Sequence, residues 1–165
     1  MCDYSLYEFP NRLAREGEEL VTYRFRSGSL GLVSPAELEE ARCRENAQSK
    51  PPAKGFFGTM RIPFESSRHR PSNRPYVCAI CVPPGARLIL KGISPLMQRD
   101  FGLNPEEGGK FIETSFEALR HRDAVQLGNG RVIPLQLLGE GQRIEILSLV
   151  PVDEFVEERQ TALAR

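Results

Sequence analysis

The chain has 165 residues, 40% of them apolar and 27% charged, which predicts one globular domain that buries a core without disulfides. Its 22 basic and 22 acidic side chains give zero net charge, which argues against a dedicated nucleic-acid-binding or membrane-binding protein. The sequence has no signal-peptide pattern and no apolar run that could span a membrane. We therefore expect a cytoplasmic protein with free thiols and no membrane association.

The first third of the chain predicts two strands followed by a helix. Strand patterns over 20–26 and 28–33, joined through the Gly- and Ser-containing stretch RSGSLG at 26–31, predict a hairpin. Ser34 as the N-cap and Pro35 at the first helical position predict a helix over 34–47. Because its apolar face is thin, we expect this helix to lie at the periphery.

Residues 46–75 form a basic segment with six Lys or Arg residues and one acid. Its Pro, Ser and Gly content predicts a loop or an insertion within the single domain, although 56–62 has the pattern of a strand. Arg68, Arg70 and Arg74 are candidate contacts for an anion or a nucleic acid. The alternative is a solvated loop, and the neutral net charge favours it.

The next stretch, RPYVCAICVPPG, places Cys78 and Cys81 at the spacing of a metal knuckle or a redox pair. We predict strands over 75–82 and 86–91, joined by the Val-Pro-Pro-Gly turn. Successive strand residues point to opposite faces, so two cysteines three apart do not share one metal there. We interpret Cys78 as a buried strand thiol and Cys81, at the strand exit, as the better candidate for a site.

Three apolar runs near the C-terminus are separated by Asn-Gly and Glu-Gly turns. The runs span 123–127, 131–138 and 143–149. Since Gly supplies the positive φ of a tight hairpin turn, the runs predict a three-stranded meander. Alternation places Ile133, Leu135 and Leu137 on one face, and Pro134 indicates an edge strand.

These elements predict a mainly β fold of the α+β kind, a small antiparallel barrel or sandwich with a peripheral helix and a C-terminal helix. The C-terminal helix is expected over 151–163, where apolar residues recur at helical spacing. That helix would pack on the barrel or on a partner, which includes a second copy of the chain.

Cys2, Cys81 and His121 are the candidate metal ligands. They converge if an N-terminal strand around Cys2, the exit of the 75–82 strand and the start of the meander share one end of the barrel. Two thiolates and an imidazole suit zinc or iron and leave a coordination position open. Asp123 is the candidate partner for the other ring nitrogen of His121.

Two other functions stay open at this stage. A Cys–His pair from the same residues would serve a thiol-dependent enzyme. A non-catalytic accessory protein would contact a macromolecule through the basic segment and the C-terminal helix. Nucleotide-binding, zinc-protease and serine-hydrolase motifs are absent from the sequence, which leaves open whether the chain is an enzyme.

The sequence resembles a group of uncharacterised small bacterial proteins that open with Met-Cys-Asp-Tyr-Ser-Leu. The likeness lies in MCDYSL, NRLAREGEELVTYRF, VCAICVPPGARL and HRDAVQLGNGRVIPLQLLGEGQRIEIL, and does not include the basic segment. In that group a cysteine precedes a Pro-Gly turn and a histidine precedes Asp-Ala, which match Cys81 and His121. Cys2 belongs to the opening hexapeptide, so the resemblance implies the same three residues but no activity.

Overall fold

The computed structural model describes residues 6, 8–48, 74–114 and 121–150. In these ranges the chain forms nine strands, two α-helices and a short 3-10 helix. The strands are β1 (Asn11–Leu13), β2 (Glu19–Arg24), β3 (Leu30–Val33), β4 (Ala79–Cys81), β5 (Arg87–Lys91), β6 (Glu106–Glu113), β7 (Asp123–Leu127), β8 (Val132–Pro134) and β9 (Arg143–Ser148). The helices are α1 (Pro35–Gln48) and α2 (Pro95–Phe101), and the 3-10 helix is Leu135–Leu137.

Seven strands form one antiparallel sheet in the order β3-β2-β9-β5-β6-β7-β8, which curls into a half-barrel. The other two strands, β1 and β4, form a separate parallel pair. The predicted mainly β fold with few helices is therefore confirmed.

The two edges of the seven-stranded sheet are connected by one side chain. Gln136, in the 3-10 helix after β8, donates its amide nitrogen to the Leu30 carbonyl at 2.7 Å and accepts the Leu30 amide at 2.9 Å. Leu30 opens β3, the strand at the opposite edge. Gln136 thus replaces the strand pairing that would close a full barrel, because its amide offers one donor and one acceptor.

The concave face of the half-barrel encloses the inner cluster. It is almost entirely aliphatic, with Phe111 as the one buried aromatic side chain among the described residues that form it. Its buried members are Ala14, Leu20, Leu30, Leu32, Ile80, Val82, Ala86, Leu88, Leu90, Ile93, Leu103, Phe111, Val125, Leu127, Ile133, Leu135, Leu138, Ile144 and Ile146.

The convex face of β2 and β3 carries a second cluster, the outer cluster. Its buried members are Leu6, Phe9, Tyr23, Phe25, Val33, Leu38, Ala41, Val77 and Ala79. Helix α1 contributes Leu38 and Ala41 alone, as its thin apolar face predicts. The two strands are therefore buried on both faces, and all four residues of β3 are buried.

The β2–β3 and β7–β8 hairpins have loops of the same kind, and both were predicted. In the first, the Phe25 amide donates to the Ser29 carbonyl at 2.9 Å and Gly28 has φ of 88°. In the second, the Leu127 amide donates to the Arg131 carbonyl at 2.8 Å and Gly130 has φ of 81°. Each is a three-residue loop that ends on a left-handed glycine.

The predicted three-stranded meander is wrong in its last pairing. Strand β9 pairs with β2 and β5, whereas β8 pairs with β7. The run predicted over 131–138 ends as a strand at Pro134 and continues as the 3-10 helix. Alternation fails there, so Ile133 and Leu135 are buried while Leu137 is 60% exposed. Pro134 does lie on an edge strand, as predicted.

One further prediction needs correction, and some elements were not predicted. The strand expected over 75–82 is reduced to β4, and β6 had no predicted counterpart. Helix α2 was missed, although Ser94 caps it by accepting the Met97 amide and Gly102 ends it in the left-handed conformation. The strand over 56–62, the helix over 151–163 and the strand around Cys2 lie outside the described residues.

Candidate functional site

Cys81 is the last residue of β4, where the chain leaves the parallel pair. It lies opposite Leu13 of β1, and its carbonyl accepts a hydrogen bond from the Ala14 amide at 2.9 Å. The residue is 7% exposed, and its sulfur is in a disulfide. Backbone pairing therefore fixes the point from which the Cys81 side chain projects.

The turn after Cys81 brings the exit of β4 to one end of the seven-stranded sheet. The Ala86 amide donates to the Pro83 carbonyl at 3.2 Å, and Gly85 has φ of 91°, a value that glycine adopts without strain. The Gly85 amide also donates to the Phe111 carbonyl at 2.8 Å. Phe111 is the third residue from the end of β6, so this contact places the turn after β4 near the C-terminal end of β6.

The start of β7 lies at the same end of the sheet. Glu113, the last residue of β6, pairs with Asp123, the first residue of β7. The Thr114 amide donates to the Arg122 carbonyl at 2.8 Å, and His121 directly precedes that contact. Two of the three strand ends that the predicted metal site requires therefore share one end of the sheet.

His121 and Asp123 differ in burial. Asp123 is 9% exposed and shares a strand face with Val125 and Leu127 of the inner cluster. His121 is exposed. An exposed imidazole two residues from a buried carboxylate is compatible with an accessible ligand and an orienting partner, the roles predicted for them.

Cys2, the third predicted ligand, lies outside the described residues, so the convergence of Cys2, Cys81 and His121 stays a prediction. Within the described ranges, no group of three or more His, Cys, Asp and Glu side chains is arranged to hold a metal ion. The described part of the chain therefore supplies Cys81 and the start of β7 but not a complete set of ligands.

The Cys78-x-x-Cys81 pair does not act as a unit. Cys78 is a free, half-buried thiol, whereas Cys81 is in a disulfide. Burial raises the pKa of the Cys78 thiol, Glu37 raises it further and Arg12 opposes them. A protonated thiol is a poor ligand and nucleophile, so Cys78 does not suit either chemistry at neutral pH. The expectation of free thiols holds for Cys43 and Cys78 and is wrong for Cys81.

Arg74 is engaged in contacts within the protein. Its guanidinium forms an ion pair with Glu140 at 2.6 Å, donates to the Arg24 carbonyl at 2.8 Å and lies 5.8 Å from the centroid of the Tyr23 ring. These contacts hold its guanidinium against the protein, where it is not available as a free anion contact. Arg68 and Arg70, predicted with it as anion contacts, lie outside the described residues.

A polar cleft of about 280 Å³ lies between the C-terminal half of α1 and the turn before β9, and sequence reasoning missed it. Tyr23, Arg42, Arg74 and Glu140 are among its lining residues. The Tyr23 hydroxyl donates to the Pro75 carbonyl at 3.1 Å, and burial raises its pKa, so the phenol stays neutral. The cleft lies beside α1, whose buried apolar residues are Leu38 and Ala41, and no periodic pattern in the sequence marks it.

No protein-family model, curated protein or solved structure matches the chain significantly. In the described part of the chain, neither helix is long and apolar enough to cross a membrane. The resemblance to the proteins that open with Met-Cys-Asp-Tyr-Ser-Leu stays a prediction.

Proposed function

We propose that the chain binds a transition metal, zinc or iron, through Cys2, Cys81 and His121. The observation that supports the proposal is that the turn after β4 and the start of β7 each contact the C-terminal part of β6. Cys81 and His121 follow from that arrangement, since each lies at or directly beside one of those strand ends.

The state of Cys81 supports a second sulfur at the same place. The chain has four cysteines, of which Cys43 and Cys78 are free. We propose that Cys2 is the partner of Cys81 in its disulfide. The two sulfurs of a disulfide lie about 2.0 Å apart. Two thiolates that share a tetrahedral zinc at about 2.3 Å hold their sulfurs about 3.8 Å apart. Both arrangements therefore require the two cysteines to be close neighbours in space.

Three protein ligands would leave one tetrahedral position for water or a substrate, as in catalytic zinc sites. In this proposal the buried Asp123 holds the tautomer and the orientation of the His121 ring. The metal would polarise a bound water or a carbonyl group. We also propose a cytoplasmic location, where thiols stay reduced and free to bind metal.

Elemental analysis of protein purified under reducing conditions, without chelators, tests the proposal. We expect about one zinc or iron per chain, and an at least tenfold lower content in Cys81→Ser because a three-ligand site loses its geometry. Cys43→Ser is the matched control, since Cys43 is exposed on α1 and free. Metal-free wild-type protein, or equal metal content in both variants, would contradict the proposal.

His121→Ala separates the proposed imidazole ligand from a site made of sulfurs alone. We expect weaker zinc binding by about 10 to 100-fold or more, as for changes that disturb a metal ligand set. His121 is exposed, so the substitution should leave the free energy of unfolding of the reduced, metal-free protein nearly unchanged. Unaltered zinc affinity would remove His121 from the site.

A further inference from the structure

We propose that the chain binds a small organic acid, a carboxylate with an unbranched apolar body, in a groove between α1 and β2. The groove has a volume of about 300 Å³ and joins the polar cleft beside it, since Tyr23, Arg42 and Glu140 line both. Its size suits a small ligand. The inference does not depend on the proposed metal site, because none of the proposed metal ligands lines the groove.

One face of α1 forms the first wall of the groove. The residues of α1 that line it are Pro35, Leu38, Glu39 and Arg42. Their helical spacing places all four on the same side of α1. The helix rises about 10 Å between Pro35 and Arg42, at about 1.5 Å per residue. Because Pro35 and Leu38 are apolar, the groove has an apolar end, and the Arg42 guanidinium lies toward the other end.

Strand β2 and the turn before β9 form the second wall. Val21 contributes a half-buried apolar side chain. The polar groups of Thr22 are bonded within the protein, since its carbonyl accepts the Gly141 amide at 2.8 Å and its hydroxyl donates to the Gly139 carbonyl at 2.6 Å. That hydroxyl also accepts the Gln142 amide at 2.9 Å. A hydrocarbon can therefore lie on this wall without depriving Thr22 of a hydrogen bond.

Arg42 is the side chain that selects an anion. Its guanidinium lies 3.7 Å from the Glu39 carboxylate, beyond hydrogen-bond distance. Glu140 already accepts two hydrogen bonds from Arg74, at 2.6 and 3.2 Å, so its charge is compensated. Among the described residues that line the groove, Arg42 is therefore the charged side chain with no hydrogen bond. A guanidinium with unused N–H donors matches the two oxygens of a carboxylate.

These features together define the class of ligand. A carboxylate with a chain of about eight carbons extends over about two helical turns. Its head group would lie at Arg42, and its chain would lie between Leu38 and Val21. A ligand with about ten non-hydrogen atoms binds with a dissociation constant of about 0.1 to 1 mM when each atom contributes modestly.

Octanoate is the probe, and the full-length protein is titrated with it by two-dimensional nitrogen–proton NMR. We expect saturable shifts of the amides of Val21, Leu38 and Gly141, with a dissociation constant of about 0.1 to 1 mM. Octylammonium is the matched ligand, since it has the same chain and the opposite charge. It should bind about tenfold more weakly or worse, because Arg42 repels it.

Three variants locate the two ends of the ligand. Arg42→Gln should weaken octanoate binding about tenfold or more. Arg44→Gln is its control and should leave the affinity unchanged, because Arg44 binds Glu40 at 3.0 Å and does not line the groove. Val21→Thr keeps the shape of the side chain but replaces a methyl group with a hydroxyl, and it should weaken binding about three- to tenfold.

Arg42 is exposed on α1, so Arg42→Gln should fold as the wild type does, and the spectrum of the ligand-free variant verifies this. The proposal is overturned if millimolar octanoate gives no saturable shift. Equal affinity for octanoate and octylammonium, or unaltered affinity in Arg42→Gln, also overturns it. So do shifts that lie mainly outside the groove, because they would indicate adsorption to apolar surface elsewhere.

Discussion

The inner and outer clusters lie on opposite faces of the same sheet, yet they differ in composition and in cover. The inner cluster is aliphatic and is enclosed by the curl of all seven strands. The outer cluster is rich in aromatic rings, with Phe9 and Phe25 in edge contact at 4.8 Å, and is covered by α1 and β4. Curvature closes the first, whereas separate chain segments must cover the second.

The convex face of the neighbouring strands shows what happens without that cover. On β5 and β9 this face carries an ion pair between Lys91 and Glu145 at 2.6 Å, and Arg143 binds Glu19 of β2 at 2.8 Å. The sheet is therefore buried on both faces at β2 and β3 and on one face at β5 and β9. Helix α1, although peripheral, therefore helps to determine which strands are buried on both faces.

The largest loss of stability is expected when a substitution leaves a cavity in the inner cluster. Leu90, on the central strand β5, is fully buried, so Leu90→Ala should lower the free energy of unfolding by about 3 to 5 kcal/mol. Leu38→Ala in the outer cluster is the comparison, and it should lower that free energy by about 2 kcal/mol, because Leu38 lies at 7% exposure on a helix that can shift. Urea unfolding followed by circular dichroism measures both.

Equal losses in Leu90→Ala and Leu38→Ala would show that α1 is as tightly packed as the sheet interior. That result would remove the distinction between the two clusters.

An intermediate effect is expected at Gly31, where the outer cluster approaches the backbone of β3. A Cβ atom there would lie 2.6 Å from Leu6 Cδ1 and 2.9 Å from Phe25 Cε2. Gly31→Ala should therefore lower the free energy of unfolding by about 1 to 3 kcal/mol through overpacking. Gly108→Ala in β6 is the matched control, since a Cβ atom there meets no atom within 4 Å.

Thermal unfolding of the Gly31→Ala and Gly108→Ala proteins provides the measurement. If Gly31→Ala unfolds at the same temperature as its control, the outer cluster has room for a methyl group and is not closely packed at β3.

The smallest loss of stability is expected from a change in the charged cluster of Arg12, Glu18 and Glu37, which lies beside the outer cluster. Arg12 of β1 binds Glu18 at 2.6 Å and Glu37 of α1 at 2.9 Å. Because Arg12 is partly exposed, Arg12→Gln should lower the free energy of unfolding by about 1 kcal/mol. Arg44→Gln, which removes an exposed pair with Glu40, should have almost no effect.

The Arg12 contribution should depend on pH. The hydrogen bond from Arg12 lowers the pKa of Glu18 below its ordinary value of 4.5, and burial opposes this. A carboxyl group with a lowered pKa in the folded state stabilises the fold above its unfolded pKa and loses that contribution as pH falls through the folded pKa. Urea titrations of the wild type and Arg12→Gln should therefore differ at pH 7 and converge at acidic pH. A difference that does not change with pH would exclude Glu18 as the source.

Local signals in the sequence predicted the elements that depend on neighbouring residues. Ser34 and Pro35 mark the start of α1, and the glycines at 28 and 130 mark two hairpin loops. The Ser94-Pro95 start and Gly102 end of α2 were equally local and were overlooked. Such features depend on capping and on allowed backbone angles, which a few adjacent residues determine.

The candidate site was predicted only in part, for a geometric reason. The position of Cys81 at a strand exit follows from the Val-Pro-Pro-Gly turn, and that of His121 before β7 follows from the apolar pattern of 123–127. That the two strand ends share one end of the sheet depends on β6, whose Gly-Gly sequence carries little strand signal. The cleft beside Tyr23 depends on the angle between α1 and the sheet, and no sequence period reports that angle.

Periodicity, turns and caps along adjacent residues were enough to predict the β-rich class of the protein, its hairpins and α1. The pairing of β9 with β2 and β5 instead of β8, the exposure of Leu137, and the disulfide at Cys81 beside a free Cys78 became evident in the folded chain alone. These outcomes depend on which distant segments meet. Pairing between strands is set by the total burial and hydrogen bonding of the folded sheet, to which every strand contributes at once.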